Sequence, residues 1–554
     1  MKSFIFHNIN KNQILCLFLV FTLFFTVFFL IQFSSLNLCG IDAYYHIKYA
    51  ELYRTLGIKE TLNNFSAGEY TTLNKYPTDL SFLYHILLIP FTYGNLINGS
   101  KLAAIIFASL IFVLFYWVLK KFKIKYSFLW TLLFFSASSN FIFRLTLSRA
   151  FLLSILFLIL GFYLIVKKKY IWLFVLSIFY ALTYTASQLI LVIGLIYILI
   201  EYWKTRKFDW KLLFYPFIGL LIGLITRYDF LQNLYNIFVQ NFYVLFYKLN
   251  GVKLSIGNEL HIINAPIKIN LILLFLFGLG ISFIIINFKE KRIKKNNLSI
   301  VYIYTFFLSI LFCLLTFMSQ RFFEYWTPFT LLFAVFTFKY ISQDNYWRNL
   351  IAEFLKIFRK KYFSLFWLKP FAFVFLGLII VFFSYINITQ AINSMEENIY
   401  PFDKYQEAGK WLRQNTPQQS IIFNANWDNF PQLFFYNHQN KYIVGMDPTF
   451  MYVYNKELYW FWNNIASQGI VCSQSKEKCP DSVYTEKFSI RGQKIYQIIK
   501  DEFQSEYIFI DNRKTSNFEI HRIFKKILES SFLFEKVYQS KKYPEVMIFQ
   551  LKDN

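Results

Sequence analysis

Short stretches of this chain carry residue types and spacings that could do chemistry, four of them foremost. The first is Gly40-Ile41-Asp42-Ala43-Tyr44-Tyr45-His46. Asp42 and His46 stand four apart, so on a helix they share a face with Tyr49 one turn further on. A carboxylate beside an imidazole can serve as a general base or as a metal ligand. An acid in the first turn of a helix would equally favour the helix dipole. The second stretch, Ser138–Arg149, places the guanidinium groups of Arg144 and Arg149 close together. Arginine suits bidentate contact with phosphate, and a snorkelling anchor at a membrane rim would use the same side chain. Arg321, in Ser319-Gln320-Arg321-Phe322-Phe323-Glu324-Tyr325, is a third such cation, with Glu324 three residues on as a candidate neutralising partner. The third stretch, Ser255-Ile256-Gly257-Asn258-Glu259-Leu260-His261, offers a carboxylate and an imidazole in apolar surroundings, and a solvated loop acid is the plain alternative. The fourth is Asn426-Trp427-Asp428-Asn429, after a predicted strand. There Trp and Asp could stack on and hydrogen-bond a sugar or a peptide, while an Asx-turn would use the same residues. Met446-Asp447-Pro448-Thr449 reads the same two ways.

The elements that hold these stretches are set by hydropathy. The 554-residue chain has 57 Lys and Arg against 32 Asp and Glu, a formal charge of +25, with 56% apolar, 22% aromatic and only 16% charged residues. A soluble domain carries about 25% charge. The apolar residues gather in runs near the ~20 residues that cross a bilayer, which excludes a soluble enzyme, a disordered chain and a fibrous protein. Eleven spans are predicted, near 13–34, 101–119, 127–142, 149–166, 170–184, 186–202, 211–227, 268–288, 298–317, 322–341 and 366–388. The first is too long for a signal-peptide core and reads as a retained helix. The basic connectors Lys120–Lys125, Lys167–Lys169, Lys204–Lys211, Lys289–Lys295 and Arg359–Lys361 then all fall inside. This requires that Leu80–Leu96, broken by Pro90 and Gly94, lies along the outer face or re-enters. The charge is thus partly topological, and no nucleic-acid partner is expected.

The predicted organisation is a transmembrane domain over 1–389 with outer loops 35–100, 139–149 and 228–267, followed by an extracytoplasmic α/β domain over 390–554. In that tail Ser420–Asn424, Tyr507–Asp511 and Val546–Leu551 read as strands, and Asp403–Asn415 and Ile495–Phe503 as helices. Cys472 and Cys479 either pair in an oxidising compartment or remain two loop thiols. The 35–100 loop, with Tyr70, Lys75 and Tyr76, is expected to pack against the tail and enclose a cleft at Asp42. No zinc-like Cys/His spacing and no phosphate-binding glycine motif is present. The expected location is a bacterial or archaeal plasma membrane, with the tail outside the cytoplasm.

In this order the motifs resemble those of GT-C membrane glycosyltransferases, most closely the catalytic subunit of oligosaccharyltransferases. Asp42–His46 is similar to a D-P-x-Y-H-like pattern after the first span, and Asn140–Arg149 to the outer loop after the third. Ser255–Glu259 is similar to S-V-x-E, Asn426–Phe430 to W-W-D-Y-G, and Arg321, Phe322 and Tyr325 to R-F-x-x-Y. The resemblance implies a polytopic α-helical fold with an exported α/β tail. It also implies transfer of a sugar from a polyprenyl-phosphate donor, held in membrane lipid, to a protein or glycan acceptor outside. Asp42, His46 and Glu259 would be catalytic; Arg144, Arg149 and Arg321 would bind the donor phosphate; Trp427, Asp428 and Asn429 would bind the acceptor. A divalent cation, Mg or Mn, would sit on Asp42 and Glu259. Two departures bear on that: loop 139–149 contains no Asp or Glu, and W-W-D-Y-G is half kept. A metal-free route, with Asp42 deprotonating an acceptor hydroxyl, needs fewer carboxylates. The other classes considered are a non-catalytic membrane protein with a carbohydrate- or envelope-binding tail, and a transporter. A transporter needs costly acids or bases within the spans, and their interiors carry almost none.

Overall fold

In the computed structural model, the described residues are 11–552, without 66, 256, 258, 260–270, 290–298, 344–346, 348, 350–352, 354–364, 397–399 and 516–517. His261 and the connectors 290–295 and 359–361 therefore lie outside them. The chain forms two compact units. One comprises residues 1–35, 101–223 and 258–397, and the other 36–100, 224–257 and 398–554.

The first unit is helical. Lys11–Gln32, Leu96–Lys121, Ile300–Met318 and Val374–Glu396 are, among the described residues, long and apolar enough to cross a membrane. Every apolar stretch expected to span carries helix, several of it in shorter pieces such as Phe151–Val166 and Tyr170–Thr183. The expected single span 127–142 is instead two helices, Ser127–Ser136 and Ser139–Leu145, bent by 90°. The break is local chemistry. Ser138 is extended (φ −156°, ψ 119°), and its hydroxyl accepts the backbone N–H of Phe141 at 3.1 Å, capping the second helix. A serine that offers the backbone this alternative favours a helix start over a helix interior. Aromatic rings fill the space inside, with Phe24 stacked on Phe112 at 4.2 Å. Asn387 donates to the carbonyl of Phe135 at 3.0 Å, and Gln32 to that of Thr146 at 2.5 Å.

The second unit is a layered α/β structure. Its five-stranded sheet has the order β2-β1-β3-β7-β6, with β1 Ile421–Asn424, β2 Lys441–Tyr442, β3 Ser505–Asp511, β6 Phe534–Gln539 and β7 Val546–Leu551. A separate two-stranded pair, β4 Lys514–Thr515 and β5 Phe518–Glu519, follows β3. β1 runs parallel to β2 and β3, whereas β7 is antiparallel to β3 and β6. Alternation along the strands builds two cores. Ile422, Phe509 and Ile548 face a core with helices Asp42–Leu56, Gln406–Asn415 and Phe430–Tyr436. Phe423, Ile508, Ile510 and Phe549 face another with helices Lys456–Gln468, Phe488–Gln497 and Arg522–Ser530. The strands expected in the tail are present, and β2 and β6 add to them.

The 35–100 loop is part of the first of these cores. Tyr45 lies 5.9 Å from Phe430 and 5.6 Å from Phe434, ring to ring. The backbone N–H groups of Glu69 and Tyr70 donate to the carbonyls of Tyr442 and Ile443. Loop residues Asn74 and Lys75 and tail residues Tyr454, Asn455 and Leu458 line an open cavity of about 410 Å³. Segment 228–267, expected as an open loop, contains the helix Phe230–Phe238 and continues helical to Leu249. Cys472 and Cys479 form a disulfide, and Cys16, Cys39 and Cys313 are not disulfide-bonded.

Candidate functional site

The expected site residues fall in both units. In the helical unit the bend at Ser138 turns the helix Ser139–Leu145, whose last turn carries Arg144. Arg149 follows in the turn before Phe151. Arg321 lies in the short 3-10 turn Gln320–Phe322, immediately ahead of the helix Phe323–Gln343. These three guanidinium groups converge on one carboxylate. Glu259 Oε2 accepts from Arg144 Nη1 at 2.6 Å and from Arg149 Nη1 at 3.0 Å, and Oε1 accepts from Arg321 Nη2 at 2.5 Å. Arg144 also donates to Glu324, and its guanidinium lies 4.8 Å over the ring of Phe151. Burial opposes ionisation of Glu259, but Arg321, Arg149 and Arg144 together hold its carboxyl well below the usual carboxylate range. Glu259 is therefore a carboxylate in a cationic cradle, not a solvated loop acid. Its partners also differ from the local pairing considered for Arg321: Arg321 bonds Glu259, and Glu324 takes Arg144.

This arrangement does not fit a cation at Glu259. Both of its oxygens are turned to guanidinium groups, and a divalent ion would meet three positive charges within ion-pair distance. Among the described residues no group of three or more His, Cys, Asp and Glu could hold a metal.

In the α/β unit Asp42 is the first residue of the helix Asp42–Leu56, half-buried, where the helix dipole favours a carboxylate. His46, one turn on, is buried, and its Nδ1 meets His85 Nε2 at 2.7 Å. His85 Nδ1 in turn meets Asp79 Oδ2 at 2.7 Å, and the same oxygen accepts the Tyr53 hydroxyl at 2.7 Å. Burial raises the Asp79 carboxyl, but His85 and Arg227 outweigh it and bring it down to about 2. Asp79 and His85 were not singled out from the sequence. The available signal was composition: His85 is one of only six histidines, and it follows Asp79 by six residues, a spacing that a helix does not put on one face.

The tail motif sits at the carboxyl ends of β1 and β3. Both oxygens of Asp428 accept from Arg513 Nη2, at 2.9 and 2.7 Å. Burial, with Asp511 adding to it against Lys404, pushes the Asp428 carboxyl up to about 8. Asn429 is buried and donates to the Tyr405 hydroxyl at 2.7 Å, and that hydroxyl donates to Asp511 at 2.6 Å. Trp427 is half-buried against the core on the other face of the sheet. At Asp447, Oδ1 accepts the backbone N–H of Thr449 at 2.9 Å, which is the Asx-turn alternative.

No protein-family model and no curated protein matches the chain. Solved structures do. An oligosaccharyltransferase from Archaeoglobus fulgidus, tethered to an acceptor peptide containing the NVT sequon, superposes with a TM-score of 0.57 at 11% identity. It covers 90% of this chain and 69% of that one. The arabinofuranosyltransferase AftD from mycobacteria superposes with a TM-score of 0.51 at 11% identity, over 99% of this chain and 40% of the other. At such identity the likeness is one of fold. The chain has the fold of the GT-C membrane glycosyltransferases, with a similarity to the oligosaccharyltransferase, and it is a multi-pass helical membrane protein carrying an α/β tail.

Proposed function

We propose that this protein is an integral-membrane glycosyltransferase that moves a sugar from a polyprenyl-phosphate donor to an acceptor outside the cytoplasm. The observation that carries this reading is the convergence of Arg144, Arg149 and Arg321 on one anion position, in a fold shared with two glycosyltransferases. A polyprenyl-phosphate sugar has a head that must meet water and a tail that must stay in lipid. A helical membrane unit bearing an arginine cradle meets both needs.

The reaction is a displacement at the anomeric carbon. The acceptor oxygen forms the new glycosidic bond as its proton leaves to a base, and the bond from the anomeric carbon to the phosphate oxygen breaks with its electron pair going to the phosphate. Asp42 is the proposed base, with His46 beside it on the same helix. The arginines stabilise charge that grows on the departing phosphate, the place where fixed donors contribute most. Trp427, Asp428 and Asn429 are the proposed acceptor-side residues. No step is assigned to a metal, because Glu259 does not fit one.

The test is to incubate purified membranes with a panel of radiolabelled polyprenyl-phosphate sugars and follow which product becomes labelled. Asp42→Asn should lower turnover by about 10²–10⁴-fold, the usual contribution of a placed general base, with membrane insertion intact. Turnover unchanged in Asp42→Asn removes Asp42 from the site. Absence of transfer from every donor favours a non-catalytic protein with a glycan-binding tail.

A further inference from the structure

The cradle around Glu259 has a filled centre. Among the described residues, three guanidinium groups face the two carboxylates Glu259 and Glu324. The two acids are held differently. Glu324 is completely buried on the helix Phe323–Gln343, whereas the Glu259 side chain is 19% exposed and sits in a connecting segment. Arg321, its closest partner, is 28% exposed. The cluster is therefore closed at Glu324 and partly exposed at Glu259. The Nε–H of Arg144 is buried and, among the described residues, meets no hydrogen-bond acceptor, so this cradle holds more donor capacity than Glu259 and Glu324 use.

A carboxylate and a phosphate present the same planar pair of anionic oxygens to a guanidinium fork, and phosphate brings more charge and a third oxygen. The Glu259 carboxylate thus stands where a phosphate oxygen pair would stand. We infer that Glu259 is an internal competitor for the phosphate site: its carboxylate fills the arginine cradle in the donor-free protein, and an incoming lipid phosphate displaces it. This rests on the glycosyltransferase reading and adds an order to it. Donor binding and the release of a carboxylate become one event, so the Glu259 acid is free to act only when a donor phosphate is in place. Nothing covalent changes in the step; one anion is exchanged for another on the same three cations.

The experiment measures phosphate affinity in the purified full-length protein in detergent. Two probes are used: inorganic pyrophosphate, free in water, and a polyprenyl phosphate in mixed micelles. Glu259→Gln removes the competing charge but keeps the side chain's size. It should bind both probes about ten- to a hundred-fold more tightly, the scale of one lost charge-assisted hydrogen bond. Arg321→Gln should bind both more weakly by a similar factor. Tighter binding of the polyprenyl phosphate alone assigns the site to the lipid headgroup, and tighter binding of both assigns it to the phosphate itself; either supports displacement. Because three arginines left without Glu259 could impair folding, the pair Glu259→Gln with Arg149→Gln restores the charge balance. It should bind more tightly than Arg149→Gln alone. Affinity unchanged or weakened by Glu259→Gln in both backgrounds overturns the inference while leaving the phosphate site standing. Failure of every variant and of the unaltered protein to bind either probe overturns both.

Discussion

Acid should weaken this protein in two pH windows; single buried residues contribute to each, and His438, also brought down to about 4 chiefly by burial, shares the upper one with His521. His521 is buried, with one ring nitrogen 2.7 Å from the carbonyl of Ala466. Burial first, and Arg513 beside it, bring its folded value down to about 4 against an ordinary 6.5. The unfolded chain therefore takes up that proton more readily, so the contribution is whole above pH 6.5 and drains away as pH falls towards 4. Its size is on the order of 3 kcal/mol. Asp79 works lower. Its folded value of about 2 against 3.8 means its contribution persists above pH 4 and is lost between about 4 and 2. Thermal unfolding in detergent should show both losses, and His521→Gln should flatten only the upper one. A profile unmoved by His521→Gln removes that residue from the account. At this scale the sequence told residue types but not partners. Arg144, Arg149 and Arg321 were legible as cations fit for phosphate, because guanidinium chemistry is local. That all three meet Glu259 was not, because the pairs span 115, 110 and 62 residues. The Asp79–His85–His46 chain was hidden for the same reason: His46 and His85 are 39 apart, and their contact needs two helices brought side by side.

Elements were more legible than their breaks. Hydropathy alone located helix in every apolar stretch, because exclusion of water from a long apolar run acts without regard to its neighbours. The 90° bend at Ser138 depends on one hydroxyl taking one backbone N–H, and an apolar window averages that away. The same averaging conceals close helix contact. Gly219 and Gly223 lie one turn apart on the helix Lys211–Ile225, a small-xxx-small pattern. A Cβ at Gly219 would stand 2.4 Å from the carbonyl oxygen of Phe174, and one at Gly223 would stand 2.6 Å from that of Ile178. Both obstacles are backbone of the helix Tyr170–Thr183, which cannot swing aside as a side chain can. Gly219→Leu should therefore push these helices apart and cost about 1–3 kcal/mol, as overpacking does. Leu213→Ala on the same helix adds no such clash and serves as the control. The measurement is thermal stability of the purified protein in detergent, and equal stability of Gly219→Leu and the unaltered chain refutes the close contact.

For the molecule as a whole, the distribution of charge is the one sequence feature that orients it. Lysine and arginine are retained on the cytoplasmic side during insertion. The connectors Lys120–Lys125, Lys167–Lys169 and Lys204–Lys211 share a side only if the crossings between them are paired. On the eleven-span reading the same parity would send the tail to the opposite face. The Cys472–Cys479 disulfide agrees with that assignment, since such bonds persist in oxidising compartments and are rare where glutathione keeps thiols reduced. A labelling experiment decides it without counting spans. Cys16, Cys39 and Cys313 are first replaced by Ser, which leaves no free thiol and keeps the disulfide. Single cysteines are then placed at two exposed positions, Lys123→Cys in the first basic connector and Lys410→Cys on the tail helix Gln406–Asn415. A membrane-impermeant maleimide applied to intact cells should label Lys410→Cys fully. Lys123→Cys should react only after the membrane is opened. Labelling of both in intact cells, or of Lys123→Cys alone, would put the tail in the cytoplasm or on the same side as the connector. With its tail in the cytoplasm, a transferase that meets its acceptor outside the cell could not work, so labelling of Lys123→Cys alone bears on the proposed activity as directly as on the topology.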